Sequence, residues 1–155
     1  CCILSGGEGG LITQTEAATL HSALAPLQGQ PDGRAWHKDA CPALDPKTQS
    51  CRAYEARPMI CRSFLSTDAE ACRRNAEGGT EQGAGLLGSH LDYLAVHALC
   101  RQVLKGISQV HSYSLAAIAA GAIAGEDTET SLKNARHKPS ALDIACRDGA
   151  NAANA

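Results

Sequence analysis

Apolar positions recur at helical spacing in three main places along the chain. The first run is Ala17, Leu20, Ala23 and Leu24. Thr13 and Glu16 stand before it in the order of a capping box, where each side chain satisfies the other's backbone amide. The pattern predicts a helix from Gln14 to Ala25, stopped by Pro26. The longest run is Leu86 to Ile107. Tyr93, Val96, Cys100, Val103 and Ile107 make one apolar stripe on it, and Leu87, Leu91, Leu94 and Ala98 make a second. A helix apolar on two sides is expected to be buried between neighbours. On that reading Cys100 is a small buried hydrophobe, as is Cys146 further on, while His90 and His97 sit on a polar rim. Ser114 is placed to cap a third helix, Leu115 to Ala124, with Leu115, Ile118, Ala122 and Ile123 on one side.

Shorter pieces fill the rest. Pro58 suits the first turn of a short helix carrying Cys61, after which Phe64 and Leu65 return to the core. Asp68 to Ala76 reads as another short helix, carrying Cys72. Gln28 to Asp39 is a loop in which Trp36 caps an edge of the core. Asp45-Pro46-Lys47-Thr48 is a turn, and glycine-rich Glu77 to Gly85 is a linker. His21 reads as a surface or boundary residue and His37 as solvent-exposed. Glu126 to Pro139 is polar and partly helical in pattern, and Ala141 to Cys146 is a last short apolar piece. The fold class expected is mainly α with an irregular cysteine-rich metal-binding region: a small helical domain with a helical C-terminal extension. The organisation expected is a cysteine-cluster region over 1–76, a helical region packing on it over 77–148, and a disordered tail over 149–155.

Charge and composition narrow the function. The formal net charge is -2 and aromatics make up 3% of 155 residues, which argues against nucleic acid as a partner. No apolar run is long enough to span a membrane. The glycine cluster Gly6-Gly7-Glu8-Gly9-Gly10 has no following lysine and serine or threonine, so it is not a phosphate loop.

The eight cysteines change the picture most. Cys1 and Cys2 open the chain, and Cys41, Cys51, Cys61 and Cys72 follow at steps of ten, ten and eleven. This is not the two-residue knuckle of a zinc ribbon. It suits loops that each return one thiolate to a common centre. Gathered thiolates repel one another unless a cation absorbs their charge, which couples binding to folding. Sulfur donors select zinc or iron, iron–sulfur clusters included, over calcium and magnesium. Arg57 and Arg62, more than Arg52, are placed to offset thiolate charge and bond sulfur or carbonyls. Tyr54 is expected in the core beside them with its hydroxyl paired. The helical stretches need no staples, so a cytoplasmic metal protein is preferred to a disulfide-stabilised secreted module.

Cys41-Pro42-x-Leu44, followed by Cys51-x-x-Tyr54-x-x-Arg57-Pro58-x-x-Cys61-Arg62-x-Phe64, resembles the YkgJ-type cysteine-cluster family. That family is described as a zinc- or iron-chelating domain. Its pattern is C-x-x-C-x-x-C-C, a glycine-rich stretch, a Leu/Ile-Thr-x-x-Glu helix start, then C-P-x-L and C-x-x-Y-x-x-R-P-x-x-C-R. Cys1-Cys2 matches the closing C-C, and Leu11, Thr13 and Glu16 sit near the helix-start motif. The upstream C-x-x-C is missing, so the chain is expected to be a fragment. Ser50 and Ala53 replace the usual glycine and branched apolar residue. The resemblance implies zinc or iron held by Cys1, Cys2, Cys41, Cys51 and Cys61, with Cys72 as a further candidate. It also implies an alternative, an iron–sulfur enzyme related to flagellin lysine methylases acting in methyl transfer or redox chemistry. No acid pair, Ser/His/Asp order or nucleotide fingerprint singles out a reaction or a catalytic residue.

Overall fold

The computed structural model describes residues 2–4, 10–63, 68–76, 79, 81 and 87–153. The mainly α class expected from the pattern is observed. The helices are α1 (Gln14–Leu24), α2 (Met59–Ser63), α3 (Ala69–Ala76), α4 (Leu87–Val103), α5 (Leu115–Ala124), α6 (Thr128–Ala135) and α7 (Ser140–Ala153). The strands β1 (Leu11–Ile12) and β2 (Tyr113–Ser114) are two residues each. The chain divides into two compact units, each built from separated stretches. One combines Cys2–Pro58 with His111–Lys138, and the other combines Met59–Val110 with Pro139–Ala155.

In the first unit, β1 pairs antiparallel with β2, Leu11 opposite Ser114 and Ile12 opposite Tyr113. This ties the start of α1 to the start of α5. The capping box forms as the sequence predicts. The Thr13 amide donates to the Glu16 carboxylate at 2.8 Å, and the Glu16 amide donates to Thr13 Oγ1 at 3.3 Å. Pro26 enters a short 3-10 turn, Ala25–Leu27, that ends the helix. Ser114 caps α5 by accepting from the Ala117 amide at 3.2 Å. Gly125 closes that helix at φ 85, where a residue without Cβ is unstrained. α5 is apolar around most of its circumference and is buried accordingly against α1 and α6. Ile12, Leu24 and Ile118 are completely buried.

His21 corrects the expectation of a surface position, being buried in this unit. Its Nε2 lies 2.9 Å from the Glu126 carbonyl, which can only accept, so Nε2 donates. Its Nδ1 meets the Thr128 hydroxyl at 3.1 Å. The imidazole therefore ties α1 to the turn between α5 and α6, and burial is affordable because both nitrogens are bonded. Trp36, expected at an edge of the core, is 41% exposed.

In the second unit, α4 packs against α7 and α2. Leu94 and Leu142 are its largest fully buried described side chains. A methyl group at Gly149 would stand 2.6 Å from Leu91 Cδ2, so the absent side chain lets α7 approach α4 closely. Arg101 holds the entry to α7, donating to the Pro139 carbonyl at 2.6 Å. α7 runs through Gly149 to Ala153, a stretch whose composition suggests an unstructured tail. α4 departs from the expectation of burial on two sides. Val96, Leu99 and Val103 are more than 60% exposed, and Ile107 lies beyond the helix end, also exposed. Cys100 shares that exposed face and is not a buried hydrophobe. His97 is buried instead of rim-exposed, meeting the Tyr93 ring edge-on at 5.9 Å between centroids. Phe64 and Leu65 lie outside the described residues. No helix among the described residues is long and apolar enough to cross a membrane.

Candidate metal centre

Three of the predicted ligands stand on adjoining segments of the first unit. The Cys41 amide donates to the Cys2 carbonyl at 2.7 Å, and Ile3 bridges Ala40 antiparallel. These contacts lay the segment of Cys2 beside that of Cys41. Leu44 then bridges Cys51, and the Arg52 amide donates to the Ala43 carbonyl at 2.9 Å. The turn between them is made by Asp45, whose carboxylate accepts from the Lys47 and Thr48 amides at 2.8 and 2.9 Å. Gln49 completes the reversal at φ 58. An Asp that accepts from amides two and three residues on is a local turn former, so the sequence folds this loop back unaided.

Cys41 is buried, Cys51 half-buried and Cys2 exposed. Burial pushes the Cys51 thiol up, and a bond from the Ala53 amide pulls it down. The charge of Cys2 raises it again, while Arg57 and Arg52 lower it. Burial is the largest of these causes and favours the neutral Cys51 thiol, so a soft or borderline cation is what would deprotonate it. Among the described residues, no group of three or more His, Cys, Asp and Glu side chains is placed to share one ion.

The other predicted residues are distributed as follows. Cys61 is half-buried on α2 in the second unit, and Arg62 beside it is exposed. Cys1 and the side chain of Cys72 lie outside the described residues. Arg57 lies over the Tyr54 ring, its guanidinium carbon 3.7 Å from the centroid, and donates from Nε to the Tyr54 carbonyl at 3.1 Å. Tyr54 itself is 57% exposed and not part of the core, because it stands in a turn where the arginine covers one ring face. His37 is half-buried, and its Nδ1 accepts from the Asp39 amide at 3.2 Å. Cys146 is half-buried beside the Leu94 carbonyl in the second unit.

Two residues support the loop, one ranked low by the sequence and one that the sequence does not single out. Arg52 donates to the carbonyls of Pro31 and Pro42 at 3.1 and 3.2 Å, so it clips the segment after Cys41 to the preceding loop. The motif flagged its charge but not its reach. Gly33 is buried against the Cys41 carbonyl, and a methyl group there would also stand 2.9 Å from Leu44 Cβ. Its only signal was a glycine after Asp32, which caps the short 3-10 helix Gly33–Ala35.

Neither a curated protein nor a solved structure matches the chain. A family model does match, over residues 1–82, and its description is "CxxCxxCC: Putative zinc- or iron-chelating domain". The matched segment spans the Cys2, Cys41 and Cys51 loops as well as Cys61, and on that match the chain belongs to the CxxCxxCC family.

Proposed function

We propose that this protein binds zinc or iron through cysteine thiolates, with Cys2, Cys41 and Cys51, whose segments adjoin, as candidates within the ligand set. The observation that carries the reading is the family match over residues 1–82, and the backbone ladder that lays these three segments side by side supports it. The family motif nominates Cys1, Cys61 and Cys72 as further ligands, and the metal-binding region is residues 1–76. A bound zinc or iron ion would neutralise the thiolates and clamp a loop otherwise held by short hydrogen bonds, a structural role. Arg52 and Arg57 would offset residual negative charge from beside it. The described cysteines are all free thiols, a state that a reducing compartment such as the cytoplasm preserves.

Elemental analysis of anaerobically purified protein tests this directly. Near-stoichiometric zinc or iron is expected, and Cys51→Ser should remove most of it while Cys100→Ala leaves it unchanged. Visible absorbance with acid-labile sulfide would identify the metal as an iron–sulfur cluster. Metal-free protein, or thiols found mostly oxidised on titration under denaturing conditions, would defeat the proposal.

A further inference from the structure

One cavity of the first unit takes no part in the metal reading. Its volume is about 440 Å³, within the range that holds small-molecule ligands. Arg34, Lys38, Arg136 and His137 line it, and Asp39 is the one carboxylate among the lining residues. The cations are not equally available. Arg34 is bound by the carboxylate of Asp32, and Lys38 approaches Asp39 at 3.7 Å. Arg136 forms no ion pair among the described residues and is exposed. Two contacts to the strand region fix its position: Tyr113 bridges Arg136, and the His137 amide donates to the Ser112 carbonyl at 2.9 Å. Ala116, Ala117 and Ala120 of α5 give the lining a small apolar part. The first turn of α5 thus belongs to the lining, and the positive end of its dipole adds to the cationic field.

We propose that this cavity binds a small molecule through a phosphate or carboxylate group. Arg136 is the principal charged contact, Lys38 and His137 flank it, and the alanine side chains receive the uncharged part of the ligand. A rigid helix end and a guanidinium on a bridged segment provide a fixed anion-binding edge, and a guanidinium matches the planar or tetrahedral oxyanion bidentately. No cysteine is among the lining residues, although Ala40 and Pro42 on either side of Cys41 are.

The test is a titration of the 155-residue chain, metal content measured on the same sample, with inorganic phosphate and separately with succinate. Amide shifts in two-dimensional NMR spectra at low ionic strength give the readout. Saturable shifts at Arg34, Lys38, Ala117 and Arg136 are expected, with affinity falling as salt rises. Arg136→Ala should weaken binding by about tenfold or more, through loss of the bidentate guanidinium contact, and Arg136→Lys should recover part of it. Lys105→Ala, in the other unit, should change nothing. Tighter binding of phosphate points to a phosphorylated ligand, and tighter binding of succinate to a carboxylate. If Arg136→Ala loses its helical circular dichroism, Arg136→Gln takes its place. The absence of saturable shifts with both anions overturns the proposal, as does undiminished binding by the Arg136 variants. Failure of the thiolate reading would show separately, as a sample without metal that still binds the anion.

Discussion

Replacing Gly33 by alanine would drive a methyl group into the carbonyl oxygen of Cys41 and to within 2.9 Å of Leu44 Cβ. Neither neighbour is the end of a flexible side chain, so the Cys41–Leu44 turn itself must move. Gly33 is also held, its carbonyl accepting from the Trp36 and His37 amides at 3.0 and 3.1 Å. Overpacking of this kind costs about 1–3 kcal/mol. The shift would also strain the 2.7 Å bond from the Cys41 amide to the Cys2 carbonyl, which joins two candidate ligands. Loss of a partner that orients a ligand lowers metal affinity by about tenfold to a hundredfold. The assay is zinc competition against a chromophoric chelator, paired with urea denaturation of the metal-free protein. Gly29→Ala is the control. Gly29 sits at φ 75 with no atom within 4 Å of a new methyl group, so alanine there costs about 1 kcal/mol of backbone strain and touches no cysteine. If Gly33→Ala binds zinc as tightly as the parent, or if Gly29→Ala weakens zinc binding equally, the role given to the Cys41 turn is wrong.

Further outcomes follow from the same geometry. Ile118 is fully buried at the centre of α5, so Ile118→Ala should cost about 2–5 kcal/mol in denaturant melts; a change below 1 kcal/mol (about the cost of an Ile→Val change) would mean the α1–α5–α6 core is not the unit's main support. Asp127 caps α6, and hydrogen bonds from the Thr130 amide and hydroxyl hold its carboxyl below its ordinary range. A lowered folded-state value means this contribution is present above the unfolded carboxyl pKa and is lost as pH falls through the folded one. Asp127→Asn keeps a capping oxygen but removes the titration, so its acid-denaturation limb should be shallower than the parent's, read by circular dichroism. Arg52→Ala frees the Pro31 and Pro42 carbonyls and should raise hydrogen exchange at the Cys41–Leu44 amides while leaving α5 protected.

Much of the helical frame was legible because its signals are local. A capping box at Thr13 and Glu16, a stop at Pro26 and a cap at Ser114 each act within one turn, and each helix end forms where it is marked. The turn at Asp45 was legible for the same reason. What the sequence hid depends on residues far away. β1 and β2 are too short to show a period of two, and their pairing is fixed by contacts a hundred residues apart. On α4, periodicity shows two apolar stripes but not that only one of them is covered, so the burial expected of Val96 and Cys100 is not observed. His21 is buried because its partners, the Glu126 carbonyl and the Thr128 hydroxyl, come from more than a hundred residues along the chain, which no local pattern announces. The thiol-bearing segments were legible as candidates from the motif, whereas the parts played by Gly33 and Arg52 became visible only once the loops were laid side by side.

The interleaving of the two units has a consequence for how the protein matures. His21 and the Glu126 carbonyl, bonded in the first unit, are 105 residues apart along the chain. The segment matched by the family model ends at residue 82, so it is synthesised before β2, α5 and α6, which complete the first unit. Pairings this distant in sequence close late, after their loop entropy has been overcome. A product truncated after residue 110 would keep every residue of the matched segment and still lack β2, α5 and α6. The family signature in this protein is therefore a strip of candidate ligands rather than a folding unit, because the elements that complete the first unit are made after it.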